Sequence, residues 1–191
     1  MAVSAVQVGV RPEDYLAAER QGEEKHEFFN GEVIRMGGAT FNHNRITRNL
    51  VFLLCQAVLD RGYEVFSSDL RVHNPDTNSY VYPDVVVVKG RLEYQDDSFD
   101  TLLNPYLIAE VLSDSSTGVD RGKKFGAYRK TAGFREYLLI AQDQPLVECY
   151  YRQEDGGPWT IEDFADLNAS LPLRSLDVEL AMSDIYRKVA F

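Results

Sequence analysis

The chain has 191 residues, 45% hydrophobic and 26% charged, the balance of an ordinary globular domain with enough length for a sizeable core. Its formal net charge of -10 argues against a non-specific, high-affinity DNA binder, which relies on basic surface. No apolar stretch approaches the roughly 18 residues of a membrane span, and Met1 to Val8 lacks the basic segment of a secretory signal. Cys55 and Cys149 have no metal-ligand spacing. These features predict one domain, 1–191, in a reducing, cytoplasmic setting with no membrane association.

Pro12 to Glu19 reads as a short helix with proline in its first turn and acids near its N-terminus. Phe28 to Met36 reads as a hairpin turned at Asn30-Gly31. A long amphipathic helix follows over 41–60, with Ile46, Leu50, Leu53, Leu54 and Ala57 at helical spacing. Residues 63–66 and 70–72 read as strand pieces, and 74–79 as a turn cluster. Tyr80 to Val88 reads as one central strand and Tyr106 to Leu112 as another, with a polar, solvated loop over 93–100 between them. A loop over 113–118 leads into a helix from about Asp120 to Thr131, with Asp120 as a possible cap. Residues 136–140 return as a strand, and Val147 to Tyr151 with Trp159 to Ile161 form a trailing antiparallel hairpin. A short helix over 182–189 ends the chain. This order predicts a mixed α/β (α+β) domain built on one central sheet.

Two carboxylates stand inside the apolar runs: Asp84 after Pro83, and Glu110 in Ile108-Ala109-Glu110-Val111-Leu112. A carboxylate in a buried strand needs compensation. Period-two alternation puts Tyr80, Tyr82, Asp84, Val86 and Val88 on one strand face, and Ile108, Glu110 and Leu112 on one face of the other. If the strands are neighbours, Asp84 and Glu110 converge. Two close carboxylates repel unless a proton or cation intervenes. With the carbonyl of Val111 as a third oxygen, they form a candidate site for Mg2+ or Mn2+. Lys124, in the helix after the Glu110 strand, is the candidate cationic partner. Lys123 points about 100° away from it on a helix.

The basic run from Arg121 to Arg135, with Asp120 as its one acid, reads equally as a solvated helix face and as a local groove for nucleic acid. Glu32 is a possible further carboxylate of the site, or an exposed charge on an edge strand. His43 is a possible phosphate contact or base, or a polar cap of the long helix. Asp114 reads better as a turn residue than as a ligand, and Tyr128 as packing rather than as a buttress of Lys124. Asp96, Asp97 and Asp100 read as solvent-facing, and His26 and His73 as isolated.

Tyr82-Pro83-Asp84-Val85, Ile108 to Ser113, Asp120-Arg121-Gly122-Lys123-Lys124, Tyr128 and Arg135-Glu136-Tyr137 together resemble the PD-(D/E)XK nuclease superfamily. More specifically they resemble a large restriction-endonuclease-like family of unknown role, as do Phe28 to Glu32 and His43; the likeness covers roughly residues 10 to 150. The resemblance implies a restriction-endonuclease-like core, a central mixed sheet flanked by helices, here with an added C-terminal hairpin. It implies metal-dependent hydrolysis of phosphodiester bonds, with DNA as the expected substrate. Asp84 and Glu110 would be metal ligands, Lys124 catalytic, and Glu32 and His43 auxiliary. The superfamily's lysine two residues after the glutamate is Leu112 here, and Lys124 matches the displaced lysine of the resembling family. A homodimer is expected, since two active sites cut a duplex most simply. The alternative is a catalytically weak or inactive module that binds nucleic acid or a protein partner. A third reading is a structural dimer pairing through an exposed Val147–Tyr151 strand.

Overall fold

The computed structural model describes residues 5–113 and 120–191. The loop over 114–118, with Asp114, and the side chain of Asp120 lie outside the described residues.

Helix α1 is Pro12–Glu19, with Pro12 in its first turn and Glu13 and Asp14 beside the positive helix end. Strands β1 (Ala5–Gln7), β2 (His26–Phe29) and β3 (Glu32–Arg35) follow one another in space as β1-β3-β2. Asn30 and Gly31 both take positive φ, 46° and 97°, as the two-residue turn between β2 and β3 requires. Helix α2, Phe41–Ala57, is capped by Thr40, whose Oγ1 accepts from the backbone N–H of His43 at 3.1 Å. The cap is therefore Thr40 and not His43, whose ring is left for other work.

Two six-stranded sheets replace the single sheet expected. Strands β4 (Tyr63–Ser67), β5 (Arg71–Asn74), β6 (Ser79–Val81), β7 (Val85–Lys89), β8 (Thr101–Leu102), β9 (Leu107–Leu112), β10 (Glu136–Ala141), β11 (Val147–Tyr151) and β12 (Thr160–Phe164) complete them. One sheet runs β1-β3-β2-β6-β5-β8 and the other β12-β11-β10-β9-β7-β4. In the second, β9 and β10 are parallel, with Leu139 beside Glu110, and the remaining pairs are antiparallel.

The expected continuous strand over 80–88 is broken at Pro83, and its two halves enter different sheets. Proline has no N–H to give a ladder and fixes its own φ, so a central strand cannot pass through it. Val85 faces Ala109 in the last β7–β9 pair, so the next strand-facing position opposite Val111 belongs to Pro83. The ladder stops there.

Val85, Val87, Leu107, Ala109 and Val111 pack one face of the second sheet against Ile46, Leu50 and Leu54 of α2. A further hairpin, β13 (Ser170–Leu173) and β14 (Val178–Ala181), with the short helix Met182–Ile185, joins that layer through Leu171, Leu173, Leu180 and Met182. The opposite face, through Val86, Val88, Ile108 and Leu139, meets Val72, Val81 and Leu102 of the first sheet. The two cores together bury most of the large aliphatic side chains and hold the site elements at fixed positions.

Other expectations need correction. Val147–Tyr151 is not an exposed edge, because β10 and β12 flank it on both sides; with β12 it forms the expected trailing antiparallel hairpin, and β13–β14 is a second hairpin beyond it. The helix over 120–131 is shorter, a π-helical turn at Asp120–Lys124 followed by Phe125–Tyr128, in a stretch where Gly122 and Gly126 lower helix propensity. The 93–100 segment is tied down: Arg20 binds Asp96 and Asp100, holding both carboxyls below their usual range, and Arg71 reaches Asp100 at 2.9 Å. His26 lies 3.1 Å from Glu19, and His73 stacks on Tyr80 with ring centroids 4.0 Å apart.

Candidate active site

The break at Pro83 leaves Asp84 just ahead of β7 and beside the end of β9. Asp84 Oδ2 accepts from the Val111 N–H at 2.8 Å. In return, the Asp84 N–H lies 3.4 Å from Glu110 Oε2. Each carboxylate thus serves a backbone amide on the other strand's chain. The N–H and C=O of one strand residue point to the same edge, so the Val111 carbonyl also faces the Asp84 side, where Pro83 offers it no N–H donor.

Glu110 points into the space between the two sheets. Its Oε1 takes the Tyr128 hydroxyl at 3.1 Å and the Lys124 ammonium at 3.2 Å. Burial and the adjacent Glu110 charge push the Tyr128 phenol well above its ordinary pKa, so it stays a proton donor. Lys124 also lies 2.8 Å from Glu27 Oε1, and the side chains of Lys124, Glu27 and Glu110 are 5%, 7% and 3% exposed. Glu27 is additionally within 3.3 Å of the Tyr82 N–H, one residue before the break. His43, in the first turn of α2, places Nε2 3.2 Å from Asp84 Oδ2.

Glu27, Tyr82, Asp84, Glu110, Lys124 and His43 line one cavity of about 460 Å³, walled by the β3–α2 connection with Gly37 and Gly38, and by Gln142. Asp84, Glu110, Lys124 and His43 are brought together. Glu32 is not: it pairs with Lys123 on the surface, its side chain is 44% exposed, and it does not line the cavity. Leu112, two residues after Glu110, is buried in the core between the sheets. Of the basic run, Arg121 pairs with Glu148 and Arg135 with Asp155.

Glu27 was not singled out in the sequence. Its signal was the one that exposed Asp84 and Glu110: a carboxylate inside an apolar strand, His26-Glu27-Phe28-Phe29. Tyr128 buttresses Glu110, where packing alone was expected.

The donor set fits a hard cation. Glu27, Asp84 and Glu110 line the cavity with Lys124, which pairs with Glu27 and Glu110. Among the described residues no three His, Cys, Asp or Glu side chains are grouped so that they could hold a metal ion by themselves. Asp84 and Glu110 line the cavity, and two carboxylates with a neighbouring backbone carbonyl suit an ion that keeps several waters. Among the described residues no helix is long and apolar enough to cross a membrane.

The fold is shared with a crystal structure described as a putative nuclease belonging to DUF820 from Anabaena variabilis ATCC 29413: TM-score 0.77, 20% identity, covering 95% of this chain and 99% of that one. Two relatives come from Synechocystis sp. (strain ATCC 27184 / PCC 6803 / Kazusa). "Uncharacterized protein sll1609" is 44% identical over 83% of this chain and 89% of its own length. "Uncharacterized protein slr1290" is 34% identical over 94% and 93%. Residues 12–183 match the family model described as "Uma2: Putative restriction endonuclease", a span that takes in Glu27, Asp84, Glu110 and Lys124, and the chain belongs to that family.

Proposed function

We propose that this protein is a metal-dependent endonuclease that hydrolyses phosphodiester bonds, with DNA as substrate. The observation that carries the proposal is the meeting of Asp84, Glu110 and Lys124 on the floor of an open cavity, in a member of a family described as restriction-endonuclease-like.

Asp84, Glu110 and the Val111 carbonyl would hold Mg2+ or Mn2+. When bound, such an ion polarises a water and stabilises charge on the phosphoryl oxygens. Lys124 is held by Glu27 and Glu110 at the cavity floor, where its ammonium can orient the attacking water and offset the charge that develops as the P–O bond breaks. His43 steadies Asp84 and is placed to pass a proton at Nε2. Tyr128 fixes the rotamer of Glu110. Lys124 is the counterpart of the displaced superfamily lysine.

The test is cleavage of plasmid, single-stranded DNA and RNA with Mg2+ or Mn2+. Wild type should cut at least one, and Asp84→Ala none. A folded wild-type protein that cuts nothing with either metal would overturn the reading.

Two observations favour a second reading, a binding module of weak or no activity: Lys124 is drawn by two carboxylates at once, and leucine stands at 112, where the resembling superfamily has its lysine. Cleavage, not metal affinity, separates the two. Both readings predict metal binding that Asp84→Ala abolishes, but only the first predicts turnover.

A further inference from the structure

Residues 33–59 contain no Asp or Glu, against 30 in the whole chain. That acid-free stretch is α2 and the connection before it. One face of α2, with Thr40, His43, Asn44 and Thr47, lines the candidate active-site cavity. One step round the helix, Phe41, Asn44 and Arg48 succeed one another at three- and four-residue intervals and so form a row next to that face, with Asn44 itself lining the cavity. Phe41 is 83% exposed. Arg48 is exposed as well, and its neighbour Arg45 is partly so. Among the described residues neither arginine pairs with a carboxylate; Arg45 donates to Asn42 Oδ1 and Arg48 to Asn49 Oδ1. Many other cations of this acidic chain, among them Arg20, Arg35, Lys123 and Arg135, are matched by acids.

A bare aromatic ring and unneutralised guanidiniums beside a phosphoryl-transfer cavity match the two halves of a single nucleic-acid strand. The ring stacks on a base face and the cations meet phosphates. A continuous duplex presents base edges in its grooves, not base faces. We propose that the Phe41–Arg48 row is a ledge for a single strand at the cavity mouth, so that the substrate carries unpaired nucleotides next to the bond that is cut. This rests on the nuclease reading of the cavity. It adds the substrate class: single strands, overhangs or flaps in preference to blunt duplex.

Fluorescence anisotropy with labelled single-stranded, overhang and blunt-duplex oligonucleotides tests it, using Asp84→Asn to prevent cutting. The first two should bind more tightly than blunt duplex. Phe41→Ala should weaken single-strand binding about tenfold. Arg48→Ala should lower the slope of log affinity against log salt by about 0.7. Both side chains are exposed, so the fold should be intact by circular dichroism. Equal binding of blunt duplex, or unchanged binding in both variants, overturns the ledge. So does a change in sedimenting mass in Phe41→Ala without a change in binding, which would make this face a contact between copies of the chain. Cleavage is read separately with Asp84 in place. Turnover that is indifferent to Phe41 and Arg48 leaves the nuclease and removes the ledge. The expected binding pattern without turnover leaves the ledge and removes the nuclease.

Discussion

Lys124 Nζ lies 2.8 Å from Glu27 Oε1, in a place where both side chains are nearly sealed from water. The same ammonium touches Glu110. One cation therefore compensates two buried carboxylates, and its removal should be costly in a way that a bound ion can reverse. Lys124→Met should lose about 3–5 kcal/mol of stability without metal. It should also lose at least about 100-fold in turnover. Mg2+ or Mn2+ should raise its melting temperature more than that of wild type. Glu27→Gln should cost less stability, because Lys124 keeps Glu110. Denaturant melts with and without metal check this; equal metal stabilisation of Lys124→Met and wild type would sink the charge argument.

Pro83 withholds an N–H from the Val111 carbonyl and so leaves that oxygen facing Asp84. Pro83→Ala restores a donor opposite it. Calorimetric titration with Mn2+ should show several-fold weaker binding in Pro83→Ala, with a fold unchanged by circular dichroism. Asp84→Ala should abolish binding. Unchanged affinity in Pro83→Ala would take Val111 out of the ligand set.

Glu32 pairs with Lys123 at the surface and stands apart from the cavity lining. Exposed pairs contribute about 0–1 kcal/mol. Glu32→Gln should therefore stay within about threefold of wild-type cleavage and within about 1 kcal/mol in stability. A loss of cleavage comparable to that of Asp84→Ala would return Glu32 to the machinery.

Burial holds the His73 imidazole down, from 6.5 to about 4. Its folded pKa is depressed, so the unfolded chain takes up the proton first. Stability from this group is complete above about pH 6.5 and is lost as pH falls towards 4, by at most about 1.4 kcal/mol per pH unit. His73→Phe keeps a ring on Tyr80 and should flatten that slope. Urea midpoints measured across this window decide it; a slope unaltered by His73→Phe would assign the effect to other groups.

The periodic elements were legible because their patterns are local. The Asn30-Gly31 hairpin, α2 from Ile46 to Leu54, and β9 and β10 follow from turn chemistry and from period 3.6 or 2. The 80–88 run reads as one strand because its apolar content outweighs one proline, although that proline alone prevents a continuous strand. Strand pieces such as β1, β8, β13 and β14 are short and take their form from neighbours rather than from their own pattern.

By itself the sequence determined that Asp84 and Glu110 stand in apolar runs, and that Lys124 follows them on a helical segment. That is a matter of composition along the chain, since burial of a charge is costly wherever it occurs. Only the tertiary structure decided which of these groups meet. It brought in Glu27 from a strand more than fifty residues from Asp84, aimed His43 at Asp84 from the first turn of α2, and left Glu32 to Lys123. Such meetings depend on how two sheets and a helix pack, and no local spacing encodes that distance.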